Sequence, residues 1–349
     1  MLCKILIYFL LGLLISCENI KRQDLSKLNI PDGMIWVESK SFLKGAKTND
    51  QFAMNLEKPS HNVLVDGFFI DKTEVTNKQF KEFVNATNYI TVAERELDWD
   101  EMKKNIPPGT EKPHDSIFQP GSLIFNKNVK SLNNINNYHA WWKWEVGANW
   151  KAPAGPGSSI KNKDNYPVVH ITYEDALAYC KWANRRLPTE AEWESAAQGE
   201  YNDAIFTWGD NTNLISLNAN TWQGNFPINN NGEDGFEMIA PVKSYPANSI
   251  GVFDMIGNVW EMTDDLYNIN YYNELGSSKK INNPKGAERC YNPLIPYEIQ
   301  YVMKGGSFLC HQSYCASYRI SARMSFEMNS SSDHRGFRTV VTPQMLLNK

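Results

Sequence analysis

Apolar and polar positions repeat with a helical period in three places, and the same local pattern opens each. Thr76 with Gln79, Thr172 with Asp175 and Thr189 with Glu192 place a hydroxyl three residues before a side chain that can reach back to it, a capping box for an incoming helix. Behind these pairs, Phe80, Phe83 and Val84 recur at helical spacing, as do Tyr173, Ala176, Leu177 and Cys180, and then Trp193, Ala196 and Ala197. Asn88 and Gly199 are the expected terminators. Strand-like runs are short: Met34–Val37 and Ser41–Lys44 joined by a turn, Asn62–Asp71, and a buried strand at Pro167–Ile171.

Elsewhere periodicity fades. Between Asp98 and Lys163, Pro, Gly, Asn and Trp dominate, including Trp141-Trp142-Lys143-Trp144 and Ala154-Gly155-Pro156-Gly157. Such a stretch is uncommon unless functional or pinned by the fold. The tryptophans favour pinning, because their area is costly to leave in water; a surface apolar patch is the alternative. From Tyr201 onward the pattern is turns and short strands, without a repeat of fixed period or an internal linker. The expected architecture is therefore a single α+β domain over residues 31–345, rich in irregular structure.

The N-terminus differs in kind. Lys4 precedes an apolar run from Ile5 to Ile15 that ends in Leu14-Ile15-Ser16-Cys17. A bilayer span needs about 20 apolar residues, so residues 1–16 read as a secretory signal peptide. The segment resembles a bacterial lipobox cut before Cys17; an ordinary signal peptide cleaved elsewhere is the alternative. The expected product is exported and lipid-anchored to the cell envelope through Cys17, with residues 17–30 as a polar tether. Removing Lys4 with the leader moves the formal net charge from -4 to -5, which argues against a nucleic-acid partner. With 42% hydrophobic and 12% aromatic residues, the chain is not a disordered one.

Once Cys3 leaves with the leader and Cys17 takes lipid, the thiols left are Cys180, Cys290, Cys310 and Cys315, too few for a disulfide-scaffold fold. Cys180 lies on the apolar face of its helix and reads as core. The densest chemistry is Lys304-Gly305-Gly306-Ser307-Phe308-Leu309-Cys310-His311-Gln312-Ser313-Tyr314-Cys315, with Arg319 and Arg323 downstream. A thiol pair near cations can be a structural disulfide, a redox couple, a soft-metal site or an activated nucleophile. Closing so short a loop constrains the unfolded chain by only roughly 2 kcal/mol, and a chain this long builds a core without staples. Weight therefore moves to the functional readings without choosing among them. A thiol–disulfide oxidoreductase is disfavoured, since such enzymes place Cys-x-x-Cys at a helix start.

Two further segments are dense in hard oxygen donors. One pairs Asn220-Thr221-Trp222-Gln223-Gly224 with Gly232-Glu233-Asp234-Gly235-Phe236; the other is Asp254-Met255-Ile256-Gly257-Asn258-Val259-Trp260-Glu261. Such donors suit calcium, and Asn, Asp and Gly equally make ordinary turns. The six histidines include no pair spaced i, i+4 on a helix, which weakens a zinc-hydrolase reading.

The thiol loop, followed by Tyr318-Arg319-Ile320-Ser321-Ala322-Arg323 and Gly336-Phe337-Arg338, resembles the active-site region of the formylglycine-generating enzymes, copper-dependent sulfatase-maturing oxidases. Arg186-Leu187-Pro188-Thr189-Glu190-Ala191-Glu192-Trp193-Glu194, Gly257-Asn258-Val259-Trp260-Glu261, Glu74-Val75-Thr76-Asn77 and Gly147-Ala148-Asn149-Trp150 extend the resemblance over roughly Pro31 to Pro343. Most of these motifs mark a superfamily with non-catalytic members; the two cysteines mark its catalytic branch. The resemblance implies a C-type-lectin-like fold, with Cys310 and Cys315 as ligands of a single Cu(I). It implies that O2 and copper oxidise a cysteine in a Cys-x-Pro-x-Arg segment of an unfolded sulfatase to Cα-formylglycine. Ser307 and Trp260 then stand around the oxygen and copper pocket, and Arg323 matches an active-site arginine.

By the same resemblance one calcium site uses Asn220, the Thr221 carbonyl, Asp234 and the Phe236 carbonyl. The other uses Asp254, the Gly257 and Val259 carbonyls and Glu261. Of four cysteines that form two disulfides in animal relatives, only Cys180 is present; Ala197, Ile320 and Thr339 hold the other positions. Cys180 could pair with Cys290, or Cys290 could be a free thiol. The expected protein is a monomeric oxidase; the competing expectation is a non-catalytic surface lipoprotein using the fold as a scaffold.

Overall fold

The computed structural model describes residues 28–347 apart from 136 and 277–279. The signal segment, Cys17 and most of the tether lie outside the described residues, among which no helix is long and apolar enough to cross a membrane.

Three helices begin where the capping pattern places them. α1 (Asn77–Thr87), α3 (Tyr173–Ala183) and α4 (Glu190–Gln198) have Thr76, Thr172 and Thr189 as N-caps, each accepting from the backbone N–H three residues on. Gln79, Asp175 and Glu192 accept in return from the cap N–H groups. α1 and α3 end on left-handed Asn88 and Asn184, and α4 ends on Gly199. The remaining helices, α2 (Trp99–Met102), α5 (Ile215–Asn218), α6 (Tyr271–Leu275) and α7 (Pro343–Leu347), are about one turn long.

The strands form small sheets. β1 (Met34–Val37), β4 (Phe68–Asp71) and β14 (Val340–Val341) make an antiparallel sheet that joins the two ends of the domain. β10 (Ile281–Asn282), β3 (His61–Val65) and β2 (Lys40–Lys44) make a second. The third carries β12 (Met324–Glu327), β11 (Gln300–Lys304), β9 (Trp260–Leu266) and β13 (Arg335–Gly336) in that order. β5 (Gly121–Phe125) pairs with β6 (Trp142–Val146), and β7 (Gly224–Asn225) with β8 (Asn229–Asn230).

Met34–Val37 and Ser41–Lys44 are strands as expected, in different sheets. Two strand expectations are corrected. Asn62–Asp71 is two strands, because the chain crosses between sheets at Gly67, where an added Cβ would meet the Trp36 ring at 2.2 Å. Pro167–Ile171 is buried but is not a strand: Val168 N–H bonds to Val75 O, His170 N–H to Ser332 O, and His170 has a φ of 60°. The hairpin β5–β6 lies inside the stretch that shows no periodicity.

The main core packs α1, α3 and α4 side chains around Phe80, Tyr179, Cys180, Trp193, Trp260, Cys310 and Phe337. A second cluster gathers Phe125, Trp141, Trp222, Phe226, Phe308 and Leu309, so Trp141 is pinned by the fold, at 1% exposure, while Trp144 is 40% exposed. Every residue of α4 is buried, including Glu190 and Glu194. These carboxylates meet Lys44, Lys304 and Arg323 at 2.8–3.8 Å, and Tyr272 closes the group. Cys180, Cys290, Cys310 and Cys315 are all free thiols, so Cys180 and Cys290 do not pair.

Candidate active site

β11 delivers the thiol loop. It is held to β9 by Met303 opposite Met262 and Lys304 opposite Glu261, and it ends in Gly305 and Gly306, at φ 89° and 75°. A Cβ on Gly305 would meet Met255 O at 2.9 Å, and one on Gly306 would meet Tyr318 N at 2.9 Å; only glycine lets the chain turn here. Beyond the turn the backbone is tied on both sides. Phe308 N–H donates to Asn258 O, Cys310 N–H to Ser307 O, Trp222 N–H to Cys310 O and Cys315 N–H to His311 O.

These ties bring the Cys310 and Cys315 sulfurs to 2.8 Å, longer than a covalent S–S bond of about 2.05 Å. Cys310 is buried and Cys315 half-buried. Burial, then its bond to Cys315, pushes the Cys310 thiol up. The Cys310 thiol donating to it draws Cys315 down, aided by Ser317 and Arg319. The pair therefore keeps a proton on Cys310 and presents Cys315 as the sulfur that ionises first.

Ser307 is buried beside Cys310 and accepts from Leu309 N–H through its hydroxyl. Trp260 is buried at the start of β9, in the same core cluster as Cys310. Arg323 is not gathered into this site. Its guanidinium bonds Glu190 at 2.9 and 3.1 Å, lies over the Tyr272 ring and is fully buried in the charge group under α4. Arg319 bears on the loop instead. Its Nε donates to Ala316 O at 2.7 Å, and its two other nitrogens hold Glu57 and Asp50 at 2.6–2.8 Å.

The oxygen-rich segments meet through a bridge between Asn220 and Gly257. Asn220 gives its side-chain N–H groups to Met238 O and Asn258 Oδ1, while its Oδ1 is buried without a partner. Asp234 accepts from Thr221 and Phe236 N–H groups, and burial raises its pKa. An orphaned amide oxygen beside a buried carboxylate fits a hard cation. In the second segment Asp254 accepts from Lys243 N–H and is pushed up to about 6, by burial first. Both oxygens of Glu261 are taken by Arg338, and one also by Trp193 Nε1–H, so Glu261 is less free than Asp254 to ligate.

Glu74 is the residue that sequence reasoning missed here. It is buried and accepts from Asn258 Nδ2–H, its second oxygen has no partner, and burial followed by Asp254 raises its pKa well above the ordinary value. Among the described residues no three His, Cys, Asp or Glu side chains are grouped to hold a metal. A cation on either segment would rely on amide and carbonyl oxygens as well.

Small sheets, capped helices and abundant irregular backbone make this a C-type-lectin-like fold carrying a two-thiol site. The chain belongs to the sulfatase-modifying factor family: the model described as "Sulfatase-modifying factor enzyme 1-like domain" matches residues 21–343. It is 38% identical to the formylglycine-generating enzyme of Thermomonospora curvata over 91% of this chain and 96% of that one. It is 33% identical to the inactive Cα-formylglycine-generating enzyme 2 of Mus musculus, over 93% and 89%. The structure of PvdO from Pseudomonas aeruginosa shares the fold, with a TM-score of 0.58 at 20% identity over 88% of this chain and 94% of that one.

Proposed function

We propose that this protein oxidises a cysteine within a Cys-x-Pro-x-Arg segment of an exported sulfatase to Cα-formylglycine, using O2 and a Cu(I) ion held by Cys310 and Cys315. The observation that carries the reading is the pair of free sulfurs 2.8 Å apart in a chain of this family. Two adjacent thiols form a soft donor set suited to Cu(I). When bound, copper supplies one-electron chemistry with O2 that protein side chains lack.

The chain's own residues supply the rest. The double glycine and the backbone ties fix the Cys310 and Cys315 positions, and the core beneath Cys310 keeps water away. Cys315 ionises ahead of Cys310, both thiols release their protons when copper binds, and the half-buried Cys315 faces the side from which a polypeptide arrives. Calcium on the Asn220–Phe236 and Asp254–Glu261 segments braces the backbone that bonds Phe308 and Cys310. The leader and Cys17 take the monomeric enzyme to the cell envelope on a lipid anchor.

The inactive mouse relative supports a second reading, a scaffold without turnover. A Cys-x-Pro-x-Arg peptide incubated with the copper-loaded protein, O2 and a thiol separates the two. Mass spectrometry is expected to show the thiol converted to an aldehyde, with no product and no copper bound in Cys310→Ser or Cys315→Ser. Turnover unchanged in either variant removes the copper assignment, and an inert wild type that still binds copper leaves the scaffold.

A further inference from the structure

The tryptophan run Trp141-Trp142-Lys143-Trp144 is not used by the thiol chemistry, yet it adjoins the site. Tyr314, the residue before Cys315, has its ring centroid 5.3 Å from both Trp141 and Phe226. From Phe226 the contacts run to Trp222 at 5.2 Å, on to Phe125 at 5.5 Å and then to Trp142 at 6.3 Å. The backbone of Trp222 also touches the site directly, its amide N–H donating to Cys310 O. Trp142 and Trp144 lie two apart on β6 and share a face. The row thus passes from a fully buried indole at Trp141 to an indole 40% exposed at Trp144.

We propose that this aromatic row carries electrons from a thiol reductant at the surface to the Cys310–Cys315 site. The proposal rests on the oxidase reading above, which creates a need for them. Converting the substrate thiol to an aldehyde breaks the Cβ–S bond, makes a C=O bond and releases two electrons, with sulfur leaving as hydrogen sulfide. Dioxygen takes four, so two more must come from outside. One substrate thiol, one dioxygen and two reductant thiols then give one aldehyde, one hydrogen sulfide, one water and one disulfide. The polypeptide occupies the open side at Cys315 and Cys310 is 1% exposed, which leaves the reductant no direct approach.

The chemistry of the row suits one-electron transfer. Indoles and phenols give up an electron more readily than other uncharged side chains apart from thiols. The vacancy therefore rests on the Trp and Tyr rings and tunnels past Phe125 and Phe226, which are harder to oxidise and only fill the space between them. An oxidised indole whose N–H faces a base loses the proton and traps the vacancy there. Trp222 Nε1–H is buried with no acceptor, so oxidised Trp222 keeps its proton and passes the vacancy on. Outside the row, Trp150 and Trp193 donate to Glu94 and Glu261 and Trp208 donates to Asn211 O, whereas Trp36 Nε1–H is buried without an acceptor, as in Trp222.

The test uses the full chain without copper, so that its outcome is independent of the copper assignment. A ruthenium(III) polypyridyl complex generated by a laser flash, under argon, oxidises the protein from solution. Transient absorption reads the indole radical. Mass spectrometry reads the Cys310–Cys315 disulfide, formed as each thiol loses an electron and a proton. Wild type is expected to show both signals. Trp144→Phe and Trp142→Phe, which keep a ring in place, are expected to form the disulfide several-fold more slowly with unchanged circular dichroism. Equal disulfide rates in wild type and both variants overturn the path, whereas failure of the copper assignment would appear separately as no copper uptake by the thiols.

Discussion

Arg319 shows how much of the thiol loop hangs on one side chain. Its fork satisfies both oxygens of Glu57 and one of Asp50 while Nε holds Ala316 O, all with the group 1% exposed. Truncation would leave two buried carboxylates unpaired, so Arg319→Ala is expected to cost about 3–5 kcal/mol in denaturant unfolding. Arg319→Lys is expected to recover part of this, because it keeps the charge but not the fork. Asp333 makes a second prediction. Its Oδ2 accepts from Phe125 N–H, its Oδ1 has no partner, and burial pushes it up from 3.8 to about 7. Between those values the folded chain holds a proton that the unfolded chain has released. Stability therefore falls as pH rises through that window, by at most about 1.4 kcal/mol per pH unit for one proton, and levels off above it. Asp333→Asn is expected to make the descending limb of unfolding free energy against pH shallower by the contribution of one proton, leaving those of Asp254 and Asp265. At this scale the thiol pair was legible because both cysteines sit in one loop. Glu74 was not, since its partner Asn258 is 184 positions away. Nor could spacing decide between Arg319 and Arg323, because only packing shows which of two nearby guanidinium groups faces the loop.

The helices were legible because a capping box is written in four consecutive residues. Thr189 tests its worth: its hydroxyl accepts from Glu192 N–H, and Glu192 in turn holds Thr189 N–H and Arg186. Thr189→Ala is expected to cost about 1 kcal/mol, with Thr189→Ser close to wild type, by the same unfolding measurement. The strands were less legible, for a reason visible in β5. Four of its five residues are buried, so it lacks the alternation that marks a strand with one wet face. The single run read over Asn62–Asp71 failed differently, because nothing in Val65-Asp66-Gly67-Phe68 records that the Trp36 ring occupies the space beside Gly67.

For the whole molecule, the two oxygen-rich segments join regions that are distant in sequence, with Glu74, Asn220 and Asn258 hydrogen-bonded in series. A cation bound only in the folded state would stabilise the domain by about 2.7 kcal/mol at a hundredfold excess over Kd. Calcium is expected to raise the melting temperature, and Asn220→Ala to shrink that rise; a melting curve unmoved by chelator counts against both segments.

The pattern of ties across the chain has a practical side. Thr339 is fastened to Asp71, which also pairs with Arg185. Arg319 and Glu57 join residues 262 apart. None of these links contains sulfur, so excess thiol in the medium has nothing to cut. Among the described residues every cysteine is a free thiol, so ties of charge and hydrogen bonding can hold under the strongly reducing conditions that keep Cys310 and Cys315 open, where a cystine-tied secreted protein would lose its braces.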